Sequence, residues 1–268
     1  MKSLIFIITL CIILSGCATN QFSKFYIDRT GGRDVTKDSF VILPTSEPVV
    51  FRGGEDVDED TIGMLEKNYI QLGYSSFNAG NVNENDVITQ AKKVHASAIV
   101  IYSKYTNTVS GAMPLTLPDT TTTNTSIYGN VYGSGGSANF LGSGTSTTYG
   151  TKTTYIPYSV RRSDYYASYW IKGKPPTFGL IETEIKAETR KLIGTNKGVI
   201  AYAIVAKSPA FYADIFKGDI LLKIGNVDIY DFKTYMNALG KYGGQKVDVH
   251  IYRDGKVIVK NIQFNKRH

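Results

Sequence analysis

The segment 111–156 sets the tightest limit on what this chain can fold into. Of its 46 residues, 25 are Ser, Thr or Gly, and only Asp119 and Lys152 are charged. Isolated aromatics (Tyr128, Tyr132, Phe140, Tyr149 and Tyr155) are interspersed, but aliphatic side chains are too few to offset the cost of ordering the backbone around a core. Folded structure must therefore be built on either side. The segment itself reads as an insertion, either a solvated loop or a long hairpin able to pair with a partner, and the solvated loop is the expectation.

The N-terminus carries a different signal. Lys2 is followed by the apolar run Leu4 to Leu14, which at 11 residues is too short for a permanent transmembrane helix and has the length of a signal-peptide core. Leu14-Ser15-Gly16-Cys17 reads as a lipobox, with small residues at the cleavage site and a thiol that accepts diacylglycerol. Cys11 would leave with the leader (1–16) and Cys17 would be consumed by lipid, so no thiol would remain for a disulfide, a metal site or a nucleophile. Ala18, in place of an Asp, favours an outer-membrane location facing the periplasm. Residues 17–38 are polar, contain Gly31-Gly32, and read as a lipidated tether.

The charge is unevenly placed. Residues 17–171 hold 12 basic and 14 acidic groups, whereas 172–268 hold 17 basic and 9 acidic. A basic C-terminal half suits anionic head groups, acidic polypeptides or a peptide carboxylate. No basic-aromatic pattern for nucleic acid is visible, and none is expected of an exported lipoprotein.

Residues 39–171 alternate in character. Phe40-Val41-Ile42-Leu43 predicts a buried strand. Glu55 to Asp60 leads into Ile62, Leu65, Tyr69 and Leu72, one face of a helix that Gly73 would stop. Tyr74 to Phe77 predicts a second strand, Asn85 or Asp86 caps a helix bearing Val87, Ala91 and Val94, and Ala98 to Tyr102 predicts a buried strand. Beyond the insertion, Tyr165 to Ile171 alternates, with Tyr166, Ser168 and Trp170 on one face and Tyr165, Ala167, Tyr169 and Ile171 on the other. This pattern implies a small mixed α/β sheet, partly parallel. Lys172-Gly173-Lys174-Pro175-Pro176 marks a boundary, and 172–268 forms the next domain.

That last part carries a resemblance. Thr177-Phe178-Gly179-Leu180, Glu184 to Ile193, Gly198-Val199, Ser208-Pro209-Ala210, Lys217-Gly218-Asp219-Ile220, Gly225-Asn226 and Arg253-Asp254-Gly255-Lys256 stand in the order found in PDZ domains of periplasmic HtrA-type proteases. About ninety residues, a third of the chain, resemble that family. The resemblance implies a PDZ-like β-sandwich or barrel with two helices. It also implies a groove between the strand beginning near Gly179 and the helix Asp231 to Leu239, where an extended peptide adds as a strand. Phe178, Gly179, Leu180 and Ile181 match the loop and strand that take the peptide's carboxylate and last residues. On the helix, Tyr235 is expected to face the peptide, with Phe232, Met236 and Leu239 making the inward stripe; Tyr235, Met236 and Leu239 are the helix residues the resemblance assigns to peptide binding. The alternative is that Phe178 and Leu180 are core residues. One departure stands out: Ala213-Asp214-Ile215 replaces a glycine cap, so Asp214 must take a left-handed conformation.

Catalytic readings fail on the residues. Gly133-Ser134-Gly135-Gly136 superficially resembles a serine-protease nucleophile loop, but Tyr132 precedes it and only His95 lies upstream as a base. Asp56, Asp58 and Asp60 start like a calcium loop, yet Thr61 and Lys67 stand where glycine and glutamate are needed. No catalytic residue, cofactor or metal is assigned. Two roles remain: a non-catalytic adaptor binding the C-terminus of an envelope protein, or a structural component in which the PDZ domain docks on itself or on another copy.

Overall fold

The computed structural model describes residues 19–134 and 136–267. The expected signal peptide and Cys17 lie outside the described residues, as does Gly135 of the tip sequence Gly133-Ser134-Gly135-Gly136. The chain is mixed α/β and strand-rich, with two sheets. Among the described residues no helix is long and apolar enough to cross a membrane.

The first sheet draws on α1 (Gln21–Lys24), β1 (Tyr26–Asp28), β2 (Val41–Ile42), β3 (Val49–Arg52), α2 (Val57–Glu66), β4 (Tyr69–Ala79), α3 (Glu84–Lys93), β5 (Ala98–Gly133) and β6 (Gly136–Gly173). Its strand order is β1-β4-β6-β5-β3, with β2 paired to β6. The β3–β5 pairing is parallel, Val49 opposite Ala98 to Arg52 opposite Ile101, and the β1, β2 and β6 pairings are antiparallel. Within residues 19–104 and 163–173 the sheet is covered on both faces. Phe22, Leu72, Val87, Ala91, Ile99 and Tyr169 belong to the larger cluster, while Met64, Ala98, Val100 and Trp170 form the other. The predicted faces of 165–171 match this split, since Ala167, Tyr169 and Ile171 join the first cluster and Trp170 the second.

Four expectations are corrected here. Residues 20–38 are not a tether. Phe22 is fully buried, its ring meets Phe77 edge-on at 4.9 Å, its carbonyl accepts from Ser75 Oγ at 2.6 Å, and β1 pairs with β4. The helix does not run through Tyr69 and Leu72. It ends at Glu66, Asn68 turns the chain at φ 61, and the Asn68 Nδ2 donates to the carbonyls of Gly173 and Lys174 at 2.9 and 3.0 Å. Tyr69 and Leu72 are apolar because both faces of β4 are covered, and a spacing of three cannot distinguish that from a helix stripe. Gly73 admits β1, since a Cβ there would lie 2.4 Å from the Ile27 carbonyl oxygen. Finally, only Val41 of Phe40 to Leu43 is buried, and the helix cap at 83–93 is Asn83, whose side chain accepts from Asn85 N–H at 3.0 Å. The acidic start of α2 is helix capping: Asp56 accepts from Asp58 N–H at 2.8 Å and Glu59 N–H at 3.3 Å.

The insertion is a strand pair and not a solvated loop. Residues 105–162 form a compact unit of their own, the outer part of the β5–β6 hairpin. Side-chain bonds tie its strands, among them Thr116 Oγ1 to Thr153 Oγ1 at 2.9 Å. Thr is a good strand former, and the ladder supplies the bonds that a core does not.

The second sheet comprises β7 (Leu180–Thr183), β8 (Val199–Ile204), β9 (Ile220–Ile224), β10 (Val227–Asp228), β11 (Lys246–Arg253) and β12 (Lys256–Gln263), with α4 (Ala187–Ile193), α5 (Pro209–Tyr212) and α6 (Phe232–Tyr242) between them. Its order is β12-β11-β9-β8-β7, with β10 on β9. Asp254 and Gly255, at φ 50 and 80, make the two-residue turn between β11 and β12. Asp214 does carry the left-handed conformation, at φ 51. Two of the motif pieces meet: buried Asp219 accepts from Arg253 Nε and Nη2, both at 2.6 Å, and from Phe216 N–H at 2.8 Å. Asp219→Ala should therefore cost about 1.5–3 kcal/mol, the usual range for hydrogen bonds to a charged group, read as a lower urea midpoint at unchanged slope. An unshifted midpoint would show that the pair does not hold β11 to the α5–β9 turn.

The boundary segment is ordered. Lys172 and Gly173 close β6 opposite Ile42 and Val41, Lys174 N–H donates to the Phe40 carbonyl at 2.8 Å, and Ala206 N–H donates to Glu66 at 2.8 Å. Residues 19–104 and 163–267 thus belong to one compact unit.

Candidate peptide-binding groove

Among the described residues β7 is the edge strand of the second sheet, paired with β8 alone, and α6 lies beside its other edge. α6 starts at a capping box in which Asp231 accepts from Thr234 N–H at 2.7 Å and Thr234 Oγ1 accepts from Asp231 N–H at 3.0 Å. It runs three residues past Leu239, the expected end, to Tyr242, whose hydroxyl is held by Asn226, and Gly243 caps it.

The loop Thr177-Phe178-Gly179-Leu180 is held from behind. The carbonyls of Thr177, Phe178 and Gly179 accept from the N–H groups of Asn265, Ala210 and Val205, at 2.9, 2.9 and 2.8 Å. No described hydrogen bond takes the N–H of Phe178 or Gly179. Because Gly179 spends its carbonyl on Val205, strand alternation turns the Leu180 N–H and C=O to the open edge. Gly179 has φ 91, and a Cβ there would sit 2.2 Å from both Cβ and Oγ of Ser208. Only glycine fits both the conformation and the space.

Phe178 is wholly buried and stacks on Phe264 at 4.7 Å, and Leu180 is also buried in the same core. Ile181 is half-buried along the groove. On α6 the expected assignment is reversed. Tyr235 and Ala238 point into the core, while Phe232 is 60% exposed and Met236 39% exposed beside the groove; Leu239 is half-buried. The Tyr235 hydroxyl donates to the Leu180 carbonyl at 2.7 Å, so it occupies one lone pair of the acceptor that faces the open edge. Burial, with Glu182 nearby, pushes its pKa up.

Charge is graded along the groove. Lys174 and Arg267 lie toward the loop and the C-terminal end of α6. At the other end burial raises the Glu182 carboxyl above its usual range, reinforced by Glu184 and by Asp231 at the start of α6. Sequence reading gave no groove role to Ser208, Glu182, Arg267 or Phe232, although Ser208 stood in a family motif and Phe232 on the helix stripe. Phe232 left a further trace, as an apolar residue directly after a helix cap. Among the described residues no group of three or more His, Cys, Asp or Glu could hold a metal ion.

Residues 184–263 match the family model of the PDZ domain, a binding fold without catalytic parts. Solved structures with similarity include the HtrA-type protease AlgW with a decapeptide, at 20% identity and TM-score 0.30 over 34% of this chain and 29% of that one. The HtrA3 PDZ domain bound to a phage-derived ligand is similar at 16% identity and TM-score 0.29, over 33% of this chain and 83% of that one. A PDZ domain protein from Parabacteroides distasonis aligns over 84% of this chain and 70% of that one, at 9% identity and TM-score 0.20. The chain spans less than a third of the length of the AlgW protease it matches. No curated protein matches it.

Proposed function

We propose that this protein is a lipid-anchored, non-catalytic adaptor of the cell envelope that holds the C-terminus of another polypeptide in the β7–α6 groove. Lipid on Cys17 would fix it to the outer membrane, facing the periplasm. The observation that carries the reading is the open β7 edge, with Phe178 and Gly179 N–H groups free of described partners and the Leu180 N–H and C=O turned outward. Loop N–H groups suit a carboxylate, with Lys174 and Arg267 adding positive potential at that end. Phe232 and Met236 suit an apolar side chain. Glu182, Glu184 and Asp231 suit a basic residue further upstream in the peptide.

The test is calorimetric titration with peptides that end in an apolar residue and carry Lys or Arg upstream. Affinity should fall by roughly one to two decades on amidation, the equivalent of about 1.5–3 kcal/mol for a charge-assisted hydrogen bond lost. The contribution of the upstream basic residue should grow as pH rises through the raised Glu182 value and fade as pH drops below it, because only the ionised carboxylate attracts the cation. Equal affinity for free and amidated peptides would remove the carboxylate site. Self-association without any peptide binding would favour the structural-component role.

A further inference from the structure

The hairpin 105–162 has an apolar face that nothing described covers. Its register follows from bonds between Ser110 and Ser159 Oγ at 3.3 Å, Thr116 and Thr153 Oγ1 at 2.9 Å, and Thr145 Oγ1 and Asn124 Oδ1 at 2.9 Å. These polar pairs share one face. Alternation then places Val109, Met113, Leu115 and Leu117 on the other, with Val160, Tyr158 and Ile156 opposite 109, 111 and 113. Gly111 confirms this register, since a Cβ there would lie 2.7 Å from the Tyr158 hydroxyl. The seven apolar side chains named are 41–61% exposed.

The band has a defined length. Asn107 and Arg162 bound it at one end; at the other, Thr154 and Lys152 stand opposite Leu115 and Leu117 on the same face, and Asp119 follows, so the apolar stretch is longer on β5 than on β6. The nine residues Val109 to Leu117 span about 27 Å at the usual strand rise, and a strand crossing a membrane needs about 9–11 residues. An outward apolar face alternating with Thr and Ser is the pattern of strands that separate lipid from a polar interior. A two-stranded ribbon is marginal in water, and within 105–162 neither outer edge meets a third strand among the described residues. In hydrocarbon those edges must be paired.

We propose that this hairpin crosses a lipid bilayer, and that copies of the chain pair it edge to edge into a barrel. The Val109–Leu117 face meets the acyl chains, and the face bearing Ser110, Thr116, Thr153 and Ser159 lines the interior. Pro114, Pro118 and Pro157 remove three donors and so restrict the registers in which neighbouring copies pair. Lipid on Cys17 would deliver the hairpin to a membrane, but the band carries the inference without it.

The test uses the full chain in phospholipid vesicles, with tryptophan as the probe. The chain has a single Trp, and Trp170 is buried in the first sheet, which gives a constant background. Met113→Trp should emit at shorter wavelength and be quenched severalfold by brominated acyl chains, whereas Thr116→Trp should not. The same protein, left unheated in SDS, should run as an oligomer. Quenching that persists in Cys17→Ser would uphold the hairpin and separate it from the lipid anchor. Absence of quenching at both positions would overturn the proposal. A blue shift at 113 without bromine quenching would overturn it too, by showing that another protein covers the face, as would a monomer only.

Discussion

Replacing Tyr235 with alanine is expected to destabilise the second sheet's domain by about 3–5 kcal/mol, the range for removing a large buried aromatic side chain. The ring is 3% exposed within the core that contains Leu180, Ala201 and Ile229, and its hydroxyl holds the Leu180 carbonyl. A shift of the urea midpoint at unchanged slope would measure it. Tyr235→Phe removes only the hydroxyl and should cost about 1–3 kcal/mol, since it takes a buried hydrogen bond from the Leu180 carbonyl. The phenylalanine variant should bind C-terminal peptides at least as tightly as the parent, because the peptide no longer shares the Leu180 acceptor. Weaker binding by the phenylalanine variant at full stability would place the hydroxyl on the ligand and not on the strand.

Gly179→Val should abolish measurable peptide binding while leaving the first sheet intact. The residue sits at φ 91, where a β-branched side chain is strained by about 1–3 kcal/mol, and its Cβ would lie 2.2 Å from Ser208. Either the loop or Ser208 must move. Ser208 Oγ accepts from Phe211 N–H at 3.2 Å at the start of α5, so displacing it also removes a cap worth about 1 kcal/mol. Moving the loop instead takes the N–H groups of Phe178 and Gly179 away from the carboxylate position. Combining Gly179→Ala with Ser208→Gly clears the contact but keeps the strained φ, and should recover part of the affinity. Full binding by the valine variant would exclude this loop as the carboxylate site.

Both predictions depend on what tertiary contacts did to signals that were visible early. The PDZ segment was legible because its pieces are local: a two-residue turn at Asp254-Gly255, a glycine needing positive φ at 179, an Asp forced left-handed at 214, and short apolar strands in a fixed order. The strand expected near Gly179 begins at Leu180, with Phe178 and Gly179 in the loop before it. The orientation of α6 was not legible. Phe232, Tyr235, Met236 and Leu239 are all apolar at helical spacing, so periodicity defines a broad stripe and not which side of it faces the core. Packing against Leu180 and the Asp231 cap chose Tyr235.

The sequence by itself therefore determined what depends on single-residue backbone preferences and on strict alternation: the two α/β segments, the turns, and the opposite faces of 165–171. Only the tertiary structure decided that Phe22 buries itself under β4, that Asn68 ends a helix whose apolar spacing continues, and that 111–156 pairs as strands. Each of these rests on partners distant in sequence. A polar segment gains order from a neighbour's backbone bonds, and an apolar residue between two covered faces looks the same in a strand as on a helix stripe.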